Sequence, residues 1–167
     1  MKNSQPDKVK DLLLKLIDEG FANHAWHGSN LKGSLRGISA REAAWRPDNN
    51  RHNIWEIAVH AAYWKYAVRR RLSGEKRGSF PLKGSSWFVR PESLTENAWK
   101  SDLKLLAEEH RLLRETVEHL AVARLQTRSP SGKYTYETLI YGIANHDVYH
   151  TGQIQLIKRL FAQGTTR

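Results

Sequence analysis

Cysteine is absent from this chain of 167 residues, and long apolar runs are absent as well. Without cysteine there is no disulfide framework, which is typical of a reducing cytoplasm, and a transition-metal site can use only imidazole and carboxylate ligands. The first ten residues contain no apolar signal region, and the apolar run at residues 12–14 ends at Lys15. These absences exclude a membrane-spanning helix and predict a soluble, cytoplasmic protein.

Acidic residues are few relative to basic ones, since 17 Asp and Glu stand against 27 Lys and Arg and give a net charge of +10. This excess permits attraction to nucleic acid, anionic lipid or acidic metabolites. The one basic run, residues 69–71, ends an amphipathic segment. The helix dipole favours cations there, so a solvated helix end is the simpler interpretation. The length fits a single domain over residues 1–167.

Four long segments carry apolar residues at spacings of three and four, the period of a helix buried on one face. They run from about residue 7 to 26, from 53 to 72, from a cap at Thr95 to 120, and from 135 to just before Gly164. The predicted inner faces are Val9, Leu13, Leu16, Ile17 and Gly20; Ile54, Ile57, Ala61, Trp64 and Val68; Trp99, Leu103, Leu106, His110, Leu113, Val117 and Leu120; and Leu139, Ile143, His146, His150, Gln153, Ile157 and Leu160. No segment alternates with a period of two, so no strand is predicted.

The connections between these segments are long. The first contains a short helix that Ser39 and Glu42 are expected to cap, and the second, residues 73–94, carries Trp87 and Phe88 among Gly, Ser and Pro. Loops of this length are uncommon in compact domains and are often functional or mobile. The sequence therefore predicts an all-α fold, a four-helix bundle with long crossover connections. Five tryptophans are expected to be core or interface residues: Trp26, Trp45, Trp55, Trp64 and Trp99.

Two histidines of the fourth segment, His146 and His150, are four residues apart and fall on its inward face. One turn of helix separates them, so both imidazoles can reach a single ion. A polar side chain in a bundle core must find partners or lower the stability. A helical HxxxH pattern alone is a weak signal, because histidines can also satisfy each other or the backbone without a metal.

A third histidine, His60, lies on the second segment and can face the same interior. Three neutral imidazoles leave a coordination position open, as catalytic zinc sites do. Glu56 and Asp147 are the carboxylates that could orient the rings or act as general base, although surface carboxylates are the commoner case. His110 lies on a core stripe without an evident partner. His27 could line a pocket, although an exposed histidine at a helix end is the simpler interpretation.

At these residues the chain resembles a known family. The stretch WRPDNNRHNIWEIAVHAAYWKYAVRRRL, followed downstream by ANHDVYHTGQIQLIKRL, is similar to the DinB-like (DinB/YfiT-like) superfamily. The resemblance implies a four-helix bundle, often a homodimer, in which His60, His146 and His150 bind a divalent metal, with zinc or nickel favoured. Members similar to this chain include thiol S-transferases and a thiol-dependent isomerase domain, and others are described only as hydrolases.

The leading hypothesis is therefore a metal-dependent enzyme acting on a small molecule, as a thiol S-transferase with a low-molecular-weight thiol or as a hydrolase. Glu56 and Asp147 are its candidate catalytic residues. Trp87 and His27 are its candidate substrate-binding residues. Two alternatives stay open. One is a basic nucleic-acid-binding module, although no helix-turn-helix or zinc-finger spacing is present. The other is a metal-binding structural or stress protein without turnover.

Overall fold

The structure, a computed structural model, describes residues 5–78, 80–129 and 132–164. Every regular element within these ranges is helical, as the sequence predicts, and the two β-pairings seen there are isolated bridges, Ala25 with Gly28 and Arg128 with Thr135. The helices are α1 (Gln5–Phe21), α2 (Leu31–Ser34), α3 (Ala40–Ala44), α4 (Ile54–Ser73), α5 (Glu96–His119) and α6 (Tyr136–Gly164), with a 3-10 turn at Val122–Arg124. No described helix is long and apolar enough to cross a membrane.

The helix ends follow local sequence signals. Ser39 caps α3 by accepting a hydrogen bond from the N–H of Glu42, and Thr95 caps α5, both as predicted. Asn53 caps α4 in the same way. Gly74 ends α4 in the left-handed conformation, with φ of +82°, which glycine adopts without steric cost.

The prediction for the end of α1 is wrong, because this helix stops at Phe21 and not near residue 26. The N–H groups of Ala22 and Asn23 both donate to Asp18 O, at 2.9 and 2.8 Å, and the chain then leaves the helix for the turn that bridges residues 25 and 28. Trp26 lies at the tip of this turn and is 100% exposed. It is therefore not a core residue.

The inner face of α1 is also narrower than predicted. Leu13 and Ile17 are buried, whereas Val9 and Leu16 are each 37% exposed. Gly20 is where α1 approaches α6 most closely, since a Cβ there would lie 3.0 Å from the carbonyl oxygen of Ala144. The small residue permits the backbone contact that brings these two helices together.

The four long helices pack in a ring, with α4 against α5 and α6, and α1 against α6 and α5. Each of the four long helices therefore packs mainly against two of the others. Helix α4 is buried on more than one side, because the segment between α4 and α5 covers the face that the helices leave free. Lys65, one turn from Ala61 on the inner face of α4, points instead toward α6 and α1 and is only 1% exposed.

Lys65 forms an ion pair with Asp147 of α6, which is also 1% exposed. Burial lowers the pKa of Lys65 and raises that of Asp147, and their mutual attraction opposes both shifts. The lysine Nζ also lies 4.9 Å from the centre of the Phe21 ring. The pair therefore joins α4 to α6 in the interior, where neither charge has access to bulk water.

We predict that Lys65→Met alone will lower the free energy of unfolding by about 3–5 kcal/mol, because it leaves the Asp147 carboxylate buried without its cation. The double variant Lys65→Met/Asp147→Leu should recover most of this loss, since packed apolar groups can replace a buried ion pair at little cost. Urea denaturation at pH 7 measures both. A double variant as unstable as the single one would contradict this account.

His110 is buried in the predicted position on α5, and its ring is stacked on Phe21 with centroids 3.7 Å apart. Its Nδ1 has no hydrogen-bond partner among the described residues. Burial, helped by the positive charges of Lys65, Arg114 and Lys32, lowers the pKa of His110 to about 2. The folded protein therefore keeps this ring neutral, whereas the unfolded chain protonates it below about pH 6.5.

Because the unfolded state binds the extra proton, His110 lowers the stability progressively as the pH falls below about 6.5. We expect His110→Phe, which keeps a ring against Phe21, to reduce the stability loss between pH 7.5 and pH 5 by about 2 kcal/mol. Urea denaturation at both pH values measures this difference. His119→Phe, at the exposed end of α5, is the control and should keep the wild-type pH dependence.

Candidate metal centre

His60 of α4 and His146 and His150 of α6 form one cluster, the histidine triad. One nitrogen of each ring lies within 4.8 Å of the corresponding nitrogen of the other two. His146 Nε2 is 3.3 Å from His60 Nε2 and 3.1 Å from His150 Nε2. The predicted juxtaposition of HxxxH with His60 is therefore present, and the three Nε2 atoms point toward a common centre.

The opposite edges of two rings are held by oxygen acceptors. His60 Nδ1 lies 2.8 Å from the carbonyl oxygen of Ser86, and His150 Nδ1 lies 2.6 Å from Gln153 Oε1. The Gln153 amide is oriented by its other end, since Nε2 donates to the hydroxyl of Tyr149. A carbonyl oxygen can only accept, so each Nδ1 carries the proton. The Nε2 atoms of His60 and His150 therefore present lone pairs to the centre.

The cluster fits a divalent metal. Four-coordinate zinc binds imidazole nitrogens at about 2.0–2.1 Å, which separates neighbouring ligand nitrogens by about 3.3 Å. The Nε2 separations of 3.1 and 3.3 Å match that spacing. Without a cation, His146 Nε2–H could donate to only one of the two facing lone pairs, so the other lone pair would be left without a partner. Three ligands also leave room for a fourth group.

Burial keeps the triad in the neutral form that metal ligands need. It is the main cause that lowers the pKa of His60 to about 4 and that of His146 to about 3, with the neighbouring rings acting in the same direction. The pKa of His150 is lowered by the same desolvation, partly opposed by its bond to Gln153. At neutral pH, protons therefore do not compete with a cation for these nitrogens.

Trp87, from the long segment between α4 and α5, covers His60. Its ring is stacked on His60 at a centroid distance of 3.7 Å, and His52 is stacked on its other side, also at 3.7 Å. His52 Nδ1 lies 3.0 Å from Glu56 Oε2. Trp87 therefore lies beside the triad, and its role in binding a substrate stays a prediction. The sequence prediction missed His52, although its spacing of four from Glu56 at a helix start is a signal that could have found it.

The two candidate catalytic carboxylates have other partners in the structure. Glu56 accepts hydrogen bonds from Arg46, at 2.5 and 2.9 Å, and from the backbone N–H of Arg90. Burial raises the pKa of Glu56, but these bonds and the one to His52 outweigh it and leave the pKa low. Asp147 is paired with Lys65. Among the described residues, neither carboxylate is hydrogen-bonded to a ring of the triad, and their catalytic role stays a prediction.

His27, the other candidate substrate-binding residue, is exposed in the turn after α1 and lines neither cleft beside the triad. Helix α1 ends too early to carry it inward. The first cleft, here the Trp87 cleft, has a volume of about 660 Å³ and reaches His150, with Trp87, Tyr149 and Gln153 in its wall. The second, the Trp64 groove, has a volume of about 270 Å³ and reaches His146, with Trp64 and Arg71 in its wall.

The comparison with known families gives one match. The model of a family described as the DinB superfamily matches residues 24–154, which is well over half of the chain and includes all three histidines of the triad. No curated protein and no solved structure matches the chain significantly.

We predict that Gln153→Ala will weaken zinc binding by about tenfold, because His150 loses the acceptor that holds its Nδ1–H and its orientation. Gln153→Glu retains an acceptor and should keep the affinity near that of the wild type. Gln155→Ala is the matched control, since Gln155 Nε2 donates to Ser29 Oγ, away from the triad. Competition with a chromogenic chelator measures the affinities, and an equal loss in Gln155→Ala would contradict the assigned role.

Proposed function

The chain belongs to the DinB superfamily, and we propose that it is a metal-dependent enzyme that acts on a small molecule at the histidine triad. The observation that carries the proposal is the convergence of three neutral imidazoles, with Nε2 atoms 3.1 and 3.3 Å apart across His146. Two of the rings are already held by acceptors at their outer nitrogens. A preorganised donor set of this kind suits zinc or nickel.

A divalent ion bound there would act as a Lewis acid toward the group that takes its open position. The protein's own residues do the rest of the positioning. The carbonyl of Ser86 and the side chain of Gln153 fix the tautomers of His60 and His150. Trp87 stacks on His60 and keeps water from that face of the ring.

Glu56 and Asp147 enter this proposal as positioning residues. Asp147 anchors the α6 segment that carries His146 and His150, through its pair with Lys65. Glu56 holds His52, and His52 supports the ring of Trp87 against His60. Both carboxylates are already neutralised by cationic partners, Lys65 and Arg46. A proton taken from a substrate would have to displace those partners, so the roles of anchor and support fit their contacts better than that of general base.

The reaction classes we propose are thiol S-transfer and hydrolysis. Both need an open metal position and a nucleophile that loses a proton, a thiol in the first case and water in the second. The geometry of the triad serves either. Cytoplasmic location stays a prediction from the composition, and a homodimer and the use of a low-molecular-weight thiol stay predictions from the family resemblance.

Metal analysis of the untagged chain tests the proposal. We expect one zinc or nickel ion per chain after reconstitution. The His146→Ala variant should not retain the metal ion, because only two of the three imidazole ligands remain. His119→Ala is the matched control, since His119 lies at the exposed end of α5 and its hydrogen-bond partner in the described part of the chain is the backbone oxygen of Glu115. Absence of stoichiometric metal in the wild type, or full retention in His146→Ala, would overturn the metal centre.

The same protein preparations distinguish a metal-dependent enzyme from a metal-binding protein without turnover. Low-molecular-weight thiols and simple esters are screened by thermal shift and then for turnover, since a ligand of the native state raises its melting temperature. We expect thiols to stabilise the metal-loaded wild type more than His146→Ala, with turnover abolished by a chelator. A loaded protein that binds and converts none of them would favour the non-catalytic alternative.

A further inference from the structure

The Trp64 groove lies between α4 and α6 and starts at the triad. Its α4 wall contains Trp64, Val68 and Arg71, which share one face of the helix with His60. Its α6 wall contains Gly142 and His146 among other residues. Most of the exposed surface that lines the groove is apolar. Its polar groups are one histidine, one arginine, one threonine and two tyrosine hydroxyls. A ligand body in this groove would therefore have to be aromatic or aliphatic.

The exposure of the triad indicates that the groove is its approach from solvent. His60 and His150 are 6% and 2% exposed, whereas His146, which lines the groove, is only half-buried. The Trp64 ring lies 6.2 Å from the ring centroids of both His60 and His146, so the groove wall is continuous with the triad. In the Trp87 cleft, by contrast, the outer edge of His150 is occupied by Gln153.

Arg71 marks the far end of the groove. It is eleven residues from His60 along α4, which is about 16 Å of helix. Of the three consecutive arginines, Arg69 pairs with Glu75 and Glu109, and Arg70 donates to the backbone oxygen of Glu75. Arg71 lies over the Trp64 ring, 5.9 Å from its centroid, and forms no ion pair with a carboxylate in the described part of the chain. Its charge is therefore open to an external anion.

We propose that the Trp64 groove binds the substrate, and that the substrate is an organic carboxylate with an apolar or aromatic body. The carboxylate meets the Arg71 guanidinium, the body lies on Trp64 and Val68, and the reacting end reaches His146. This rests on the proposed function of the triad, to which it adds the chemical class of the substrate and the residue that selects it. Guanidinium is well suited to that selection, because its paired N–H groups match a carboxylate.

The test compares 6-phenylhexanoate with 6-phenylhexan-1-ol by titration calorimetry of the zinc-loaded and the zinc-free full-length chain. We expect the acid to bind at least tenfold more tightly than the alcohol at fixed ionic strength. Arg71→Gln should abolish this preference. Arg70→Gln removes the same charge from the same helical turn but not from the groove, and should keep it.

A second variant tests the groove without touching its charge. A Cβ added at Gly142 meets no atom within 4 Å, so the backbone accepts a side chain there, and Gly142→Leu adds bulk to the groove wall while it improves the helix propensity of α6. We expect it to weaken binding of both the acid and the alcohol by tenfold or more. Unchanged binding in Gly142→Leu, or an equal effect of Arg71→Gln and Arg70→Gln, would overturn the proposal.

A third experiment tests whether a ligand bound at Arg71 extends to the triad. It uses ω-mercaptocarboxylates of increasing chain length, because their thiolate is a ligand for zinc. The ratio of affinities for zinc-loaded over zinc-free protein should pass through a maximum at the length that spans Arg71 to the triad. A ratio independent of length would overturn the placement.

The two proposals fail separately. A wild type that prefers the acid but binds neither zinc nor nickel overturns the metal centre alone, and normal metal binding without an acid preference overturns the substrate assignment alone.

Discussion

The buried pair between Lys65 and Asp147 constrains the rest of this structure, because it fixes how α6 is rotated against α4. Asp147 lies between His146 and His150 in sequence, so any rotation that moved its carboxylate off Lys65 would also turn both imidazoles away from His60. Such a pair does not have to be favourable in itself, since desolvation offsets most of the attraction between two buried charges. Its consequence is geometric: other rotations of α6 leave two charges unpaired in an apolar interior, and the histidines converge in the rotation that remains.

A second layer of constraint comes from outside the two helices. His60 is oriented by a backbone carbonyl at Ser86 and by the ring of Trp87, and both belong to the long segment between α4 and α5. That segment is tied down in turn, since Asn53 donates to Arg90 O and Arg90 pairs with Asp102 of α5. The unusual length of this connection thus allows it to reach His60. It supplies an acceptor and an aromatic cover that no helix of the ring could place over α4.

Periodicity and capping signals predict the all-helical fold and the starts of α3, α4 and α5, and the spacing of His146 and His150 predicts that they share an inward face. The burial of Lys65 is beyond such reasoning, because a lysine is buried only with a partner for its charge, and that partner, Asp147, is 82 residues away in the sequence. The role of Ser86 is equally invisible, since every residue offers a carbonyl oxygen and only the path of the chain selects one. The end of α1 is not predictable for a related reason: helix propensity does not indicate that the N–H groups of Ala22 and Asn23 both donate to Asp18 O.

Charge balance links the triad to the kind of ligand it can accept. The three imidazoles are neutral, and the two nearby carboxylates, Glu56 and Asp147, are already matched by Arg46 and Lys65. A divalent ion held by the triad would therefore keep its full charge in a partly buried position, within a chain whose net charge is +10. A charge without a counter-charge in a low-dielectric site raises the free energy of the folded protein. An anion is therefore favoured over a neutral group at the open coordination position of the ion. With a divalent ion bound, such a site would bind a thiolate or an ionised oxygen more strongly than its neutral acid, and the same interaction would lower the pKa of that group. The neutrality of the donor set, and not any one catalytic side chain, is what would give the centre its reactivity.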